Sequence, residues 1–259
     1  HITEERYNIQ WGGWNQVKYQ LLFLKKMLES KHTPDRIFII TGQDYPLWSN
    51  SKIQMYCQKY PDKIWMRGIN LTKMTSTSNM KRFLTFPHYF RDIDFHSQRL
   101  RHFITGGQRE LFLKLFPAIR EDYLVIEAQK WDIWQSSGYF SCNREVAKHI
   151  LDTISKYPQI SSYFKHTFVP EEITIPTIIF NSKYKDNAEI FPKPQYEGLS
   201  TLASLHEFYY NKAIKIYFGK SDYNKLISSG KMFCRKVETG KSDTLMDMID
   251  SYRNCHEEK

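Results

Sequence analysis

Pro170-Glu171-Glu172 sets two adjacent carboxylates behind a proline and ahead of the apolar run 173–180. Proline holds φ at about −65° and suits the first turn of a helix. Both glutamates would then lie in that turn, where the positive end of the helix dipole favours carboxylates. A carboxylate at the mouth of a buried segment can take the proton of a hydroxyl, which is the work of a general base. The same pair can also simply decorate a helix start, and three residues alone do not choose.

The surrounding elements decide what such a pair could face. Trp11-Gly12-Gly13-Trp14 marks a tight backbone passage beside large flat rings. Asn15 is placed to cap a helix over 15–29, with Val17, Leu21, Leu24 and Leu28 at helical spacing. The β-branched run 35–41 predicts a buried strand of a parallel or mixed sheet, ending in Gly42-Gln43-Asp44-Tyr45-Pro46. Ligands of open α/β sheets collect at such carboxyl ends, so Asp44 and Tyr45 are candidates to face a crevice, though Asp44 can equally close a turn. Ser49 or Asn50 caps the next helix. Residues 109–119 read as an amphipathic helix closed by Pro117, and 123–126 as a strand. Trp131, Trp134 and Tyr139 stand in an aromatic, polar stretch hinged on Gly138, the composition that grips sugars, with Trp134 equally suited to a core. A helix opens at 143–145 and ends at Tyr157-Pro158. Residues 213–218 form a strand candidate, Gly219 leads into a helix stopped by Gly230, and a last helix covers 244–252. Alternating strands and helices predict an α/β chain, and 259 residues without a linker predict one domain over 1–259.

Composition narrows little. The net charge of +9 suits an anionic ligand, a nucleic acid or an anionic membrane surface. Aromatic residues at 15% suit sugar or base stacking, and also a bulky core. No apolar run reaches the length of a spanning helix, and no signal peptide is visible. Cys57, Cys142, Cys234 and Cys255 follow no zinc spacing and read as free thiols in a reducing compartment. Basic residues from Lys81 through Arg82, Arg91, Arg99 and Arg101 alternate with Phe83, Phe86, Tyr89 and Phe90. These would stack bases or form a solvated helix face, and the second reading is preferred. No RNA- or DNA-binding motif accompanies them, so nucleic acid is not expected as a partner. Asp92-Ile93-Asp94 has the form of a metal-carrying Asp-x-Asp, but no strong apolar strand precedes it, and no metal is expected there.

Five blocks, in order, resemble the Core-2/I-branching enzyme family, glycosyltransferase family 14. They are Trp11-Gly12-Gly13-Trp14, the strand 39–47 with Gly42-Gln43-Asp44-Tyr45-Pro46, the segment 137–151, Pro170-Glu171-Glu172 through Thr177-Ile178, and 222–236. The family includes branching β-1,6-N-acetylglucosaminyltransferases and peptide O-xylosyltransferases. The resemblance implies a GT-A-like α/β fold, with a mixed, mostly parallel sheet flanked by helices. It further implies inverting transfer of N-acetylglucosamine or xylose from a UDP-sugar to a glycan hydroxyl, without a metal or other cofactor. Glu172 matches the family's catalytic base and Glu171 the acid beside it, whose like charge would lift the pKa of the pair. Lys236 matches the lysine that meets the diphosphate, with Arg235 adjacent. A second cation falls at Lys212 or Lys215. Asp44 and Tyr45 then become donor-orienting candidates, and Trp131, Trp134 and Tyr139 acceptor platforms.

The family's early His-x-Asp strand has no counterpart after His1, so that nucleotide-holding strand is expected to be absent. This leaves a catalytically inactive sugar-binding relative as an alternative, with a basic nucleic-acid-binding protein behind it. Four scattered cysteines suggest a bacterial, cytoplasmic member, peripheral membrane association staying open, or a Golgi lumenal one if eukaryotic. The acceptor would then be a polysaccharide intermediate.

Overall fold

The structure is a computed structural model that describes residues 4–74, 81, 84, 92, 97–115, 121–192, 199–208, 210–211, 213–214 and 217–257. Its helices are α1 (Asn15–Glu29), α2 (Asn50–Lys59), α3 (Gln98–Leu115), α4 (Arg144–Lys156), α5 (Pro158–Phe164), α6 (Thr174–Phe180), α7 (Leu199–Leu202), α8 (Lys220–Ser228) and α9 (Asp243–Cys255). Its strands are β1 (Arg36–Ile39), β2 (Asp44–Pro46), β3 (Arg67–Asn70), β4 (Tyr123–Ile126), β5 (Gln129–Asp132), β6 (Trp134–Gln135), β7 (Phe140–Asn143), β8 (Glu189–Ile190), β9 (His206–Glu207), β10 (Tyr210–Asn211), β11 (Ala213–Ile214) and β12 (Phe233–Arg235). Helices and strands alternate, as an α/β chain should.

The strands form several small sheets rather than one mostly parallel sheet. β12 lies between β2, antiparallel, and β9, parallel. β3 lies between β6, antiparallel, and β8, parallel. β1 runs antiparallel to β7, while β4–β5 and β10–β11 are antiparallel pairs. The apolar run of β1 suggested a buried strand of a parallel or mixed sheet. Its partner β7 is largely buried and runs antiparallel, while β1 itself is half-buried except at Ile39.

The largest core packs α1, α4, α5 and α6 against β3, β6 and β7. Gln20 shares the buried face of α1 with Val17, Leu24 and Met27. Arg144 donates from Nη1 and Nη2 to the Met27 and Leu28 carbonyls, at 2.9 and 3.0 Å. Those carbonyls end α1 and have no partner within the helix, so the cation caps it and docks α4 on it. Asn143 caps α4 by accepting from Val146 N at 3.0 Å, and Ser49 caps α2 by accepting from Lys52 N at 3.3 Å.

Asn15 does not cap α1. The cap comes from Asp92, whose Oδ2 and Oδ1 accept from Trp14 N and Asn15 N at 2.9 and 3.0 Å. The Trp-Gly-Gly-Trp block is shaped by this bond. A Cβ on Gly13 would stand 2.2 Å from Asp92 Oδ1, so only glycine lets the carboxylate approach. The helix expected over 109–119 begins earlier, at Gln98, and runs through Gly106-Gly107; Pro117 lies outside the described residues.

A second core gathers Leu47, Ala203, Phe208, Tyr217, Leu226, Cys234, Val237, Leu245 and Ile249. A third, smaller one holds Trp65, Leu205, Met232 and Phe233. Along β12, Phe233 belongs to the third core and Cys234 to the second. All four cysteines are free thiols, with Cys142 and Cys234 buried. No described helix is long and apolar enough to cross a membrane.

Candidate functional site

The glutamate pair does not open α6. Pro170–Glu172 is a separate 3-10 turn, and α6 starts at Thr174. Ile173 N donates to Pro170 O at 3.2 Å, and Thr174 Oγ1 donates to the same carbonyl at 2.8 Å, closing the junction. The turn is entered through Val169 at φ 47°, a left-handed conformation that a β-branched residue rarely takes. Such backbone costs about 1–3 kcal/mol and persists only where its surroundings fix it. Phe168, just ahead, packs edge-on against Trp11 with centroids 5.0 Å apart. The Trp-Gly-Gly-Trp block thus braces the entry to the pair.

α6 is buried on every side, so its polar side chains must find partners inside. Thr177 Oγ1 accepts from Trp134 N at 3.0 Å. Asn181 accepts from Asp132 N at 3.1 Å and donates to Asp132 O at 2.7 Å. These bonds hold the segment leading into 135–139 beside the glutamates. Ser136 N donates to Glu172 O at 2.8 Å, and Gln135 Nε2 donates to Glu172 Oε2 at 3.1 Å. From the other side, Gln20 Nε2 donates to Gly138 O at 2.8 Å.

Glu172 is half-buried, and burial raises its pKa to about 7, against the Gln135 bond, which lowers it. Glu171 is buried and sits well above the carboxylate range, through burial first, then the charge of Glu172. Burial is the main cause for both glutamates, with the like charge between them adding to it.

Tyr139 links this pair to a second cluster. The Arg235 guanidinium carbon lies 4.6 Å from the Tyr139 ring centroid. Burial raises the Tyr139 phenol, and the charges of Arg235, Tyr19, Asp44 and Glu172 all act on it. Tyr19, on α1, is lifted to about 12 by burial and by Glu171. Arg235 Nη1 donates to Asp44 Oδ1 at 2.8 Å and also to Thr41 Oγ1. Asp44 Oδ2 accepts from Thr41 N at 2.6 Å and stands 3.3 Å from His206 Nε2. Burial opposes the Asp44 charge, but His206, Arg235 and Thr41 outweigh it and its pKa falls below the usual value.

Asp44 therefore closes the Thr41 turn, one of its two expected roles, and also fixes Arg235, with a fully enclosed side chain. Lys236 is half-buried beside Arg235. Burial, then the Arg235 charge, lowers its pKa, and among the described residues no carboxylate lies within ion-pair distance.

Other candidates fall elsewhere. Tyr45 turns into the second core, where its hydroxyl donates to Asp250 Oδ2 at 2.8 Å. Trp134 is a core residue stacked on Phe180 at 4.4 Å, which leaves no open ring face for an acceptor. Both belong to strands of two or three residues, too short for alternation to fix which face is buried. Trp131 lies half-buried on the β4–β5 hairpin opposite Leu124. Lys212, Lys215, Asp94 and the stretch 85–91 lie outside the described residues, as do Arg82 and Phe83, while Lys81 pairs with Asp122. Asp92 caps α1, and among the described residues no group of three or more His, Cys, Asp or Glu side chains could hold a metal ion.

Sequence reasoning missed Gln20, Gln135 and His206. Gln20 had a readable signal, a polar residue inside the apolar stripe of α1. His206 had none, since it sits in a short mixed run whose partners, Asp44 and Phe233, are remote in sequence.

The family model described as Branch: Core-2/I-Branching enzyme matches residues 1–190. That span contains the glutamate pair, Tyr139 and Asp44, and stops before His206, Arg235 and Lys236. A search of curated proteins finds no match. With most of its length matched, and with helices around small mixed sheets, the chain belongs to the Core-2/I-branching enzymes, a glycosyltransferase family of GT-A-like fold whose members need a sugar donor and an acceptor.

Proposed function

We propose that the chain is an inverting, metal-independent glycosyltransferase that moves N-acetylglucosamine or xylose from a UDP-sugar to a glycan hydroxyl, forming a β-linkage. Glu172 takes the proton of the acceptor hydroxyl. The hydroxyl oxygen forms its bond to the anomeric carbon as the bond from that carbon to the diphosphate oxygen breaks. The electron pair leaves with UDP, and one displacement inverts the centre. Lys236 and Arg235 meet the charge that grows on the diphosphate. Two charge-assisted bonds of about 1.5–3 kcal/mol each amount to roughly 10²–10⁴-fold in rate if made only in the transition state.

One observation carries this reading. A half-buried carboxyl with a pKa of about 7 and a fixed guanidinium act on the same ring, Tyr139. A base that titrates near neutrality is matched to removing a proton at neutral pH. The bound Arg235 keeps its geometry because Asp44 and Thr41 hold it before any ligand arrives.

The test is a panel of UDP-sugars, incubated with the protein with and without glycan acceptors, monitored for UDP release. Release from UDP-N-acetylglucosamine or UDP-xylose is expected, faster with acceptor. No release from any UDP-sugar overturns the reading.

A further inference from the structure

We propose that Glu171 keeps its proton at neutral pH and acts as a positioning residue, so that the pair carries one negative charge and that charge falls on Glu172. Three side chains meet over Gly138. A Cβ placed there would stand 3.2 Å from Glu171 Cγ, 3.8 Å from Gln20 Nε2 and 3.9 Å from Glu172 Cγ. The glycine is what lets the turn and α1 close on this loop from both sides.

Around that closure several side-chain oxygens are enclosed without a partner. Glu171 is 7% exposed, and its Oε2 is enclosed with no hydrogen-bond partner. Gln20 is fully buried; its Nε2 is committed to Gly138 O, which fixes the amide orientation and leaves Oε1 enclosed without a donor. Gln135 repeats the pattern, with Nε2 on Glu172 and Oε1 enclosed. An ionised carboxylate only accepts, whereas a protonated one supplies a donor. A proton on Glu171 removes the charge from a carboxyl whose Oε2 is enclosed with no donor to meet it, and a buried charge left unpaired is disfavoured.

The charged and titratable groups around Glu171 agree. Tyr19 faces it from α1, Glu172 follows it in the turn, and Asp92 approaches from the α1 cap. Tyr139 comes next after Gly138 in the loop. Of these, two are carboxyls and two are phenols. The nearby cation, Arg235, is held by Asp44. Burial, then the charges of Glu172 and Asp92, favour the neutral acid over its anion and outweigh the Glu171 backbone N–H, which opposes them.

The consequence for catalysis rests on Glu172 being the base, but the protonation does not. A neutral Glu171 adds no charge next to Glu172, so the base titrates by its own burial and stays ionised just above neutrality.

Infrared spectroscopy with ¹³C-labelled glutamate, at about pH 8, reads the proton without turnover, because Glu172 is then mostly ionised. The isotope-shifted stretch of a protonated carboxyl is expected in the wild type and in Glu172→Gln, and is expected to vanish in Glu171→Gln. No such band in the wild type, or one that survives Glu171→Gln, overturns the proposal. Should Glu171→Gln fail to fold, Glu172→Gln decides, since a band lost there belongs to Glu172. A second readout is the acid limb of kcat/KM in Glu171→Gln. Its midpoint should stay in place, whereas a fall of about one unit or more would show that a charged Glu171 had been lifting Glu172. An intact band in a protein that transfers nothing sinks the base assignment and leaves the proton where it is placed here.

Discussion

Asp44 and the Glu171-Glu172 pair are acids taken out of water around Tyr139, and they end in opposite states. Asp44 is enclosed with a guanidinium, an imidazole and a backbone N–H within reach, and its pKa is lowered. The glutamates meet amides, phenols and each other, and theirs are raised. Burial pushes all three the same way, so partners rather than depth decide the charge. One part of the site is a fixed ion pair, and the other is a carboxyl kept near its titration point.

The largest effect should come from removing that acceptor. Glu172→Gln retains size and the amide contact with Gln135, so its melting temperature should stay near the wild type. Transfer should fall by roughly 10²–10⁴-fold, the usual contribution of a positioned base. Appreciable residual turnover would place the base elsewhere and remove the functional half of the comparison.

Next comes the ion pair. Asp44→Asn leaves Arg235 buried without its counter-charge, and breaking such a pair costs about 3–5 kcal/mol of stability. The two sides should also respond to pH with opposite sign. Asp44 has a lowered folded-state pKa, so its contribution is present above the ordinary carboxylate range and lost as pH falls through the folded value. Glu172 has a raised one, so its contribution is greatest below the ordinary range and lost as pH rises through about 7. Urea midpoints against pH should show Asp44→Asn flattening the loss of stability on the acid side and Glu172→Gln flattening the fall as pH rises through about 7. Equal slopes in both variants would mean that the two carboxyls share one environment.

How much of this was legible follows from distance along the chain. Pro170-Glu171-Glu172 could be read as a turn, though not as one separate from the helix, and the Ser49 cap and the helix start at 143–145 were legible because their bonds reach only three residues on. The α1 cap could not, because Asp92 is 77 residues from Asn15 and a better-placed asparagine stood beside the helix. Asp44 was visible as a residue at a turn, but its partners Arg235 and His206 come from strands far along the chain. Tyr45 packs on a core where a crevice was expected, and Trp134 takes the core alternative of its two readings. In strands this short, nothing in the sequence says which side faces a core.

Lys236→Ala should have a smaller effect, because the lysine is half-buried and Arg235 remains. Losing one charge-assisted bond of about 1.5–3 kcal/mol should weaken UDP binding roughly 10- to 100-fold in calorimetry. Unchanged affinity would confine the cation side to Arg235 and make Lys236 a surface residue.

The smallest effect expected is that of chelation, which should leave transfer unchanged. Of the two aspartates in Asp92-Ile93-Asp94, Asp92 already spends both oxygens on Trp14 N and Asn15 N. Those bonds satisfy donors that α1 cannot satisfy itself, and losing a cap costs about 1 kcal/mol. The same carboxylate also fixes the Gly13 passage. A metal at Asp92 would have to compete with the helix that carries Tyr19 and Gln20 into the site, so ligation would loosen the wall behind the glutamates. With cations from the protein meeting the diphosphate, EDTA should change neither kcat nor KM. A strict Mn²⁺ or Mg²⁺ requirement would instead show that the negative charge of UDP is met on the glutamate side of Tyr139, reversing the division of labour between the two carboxylate clusters.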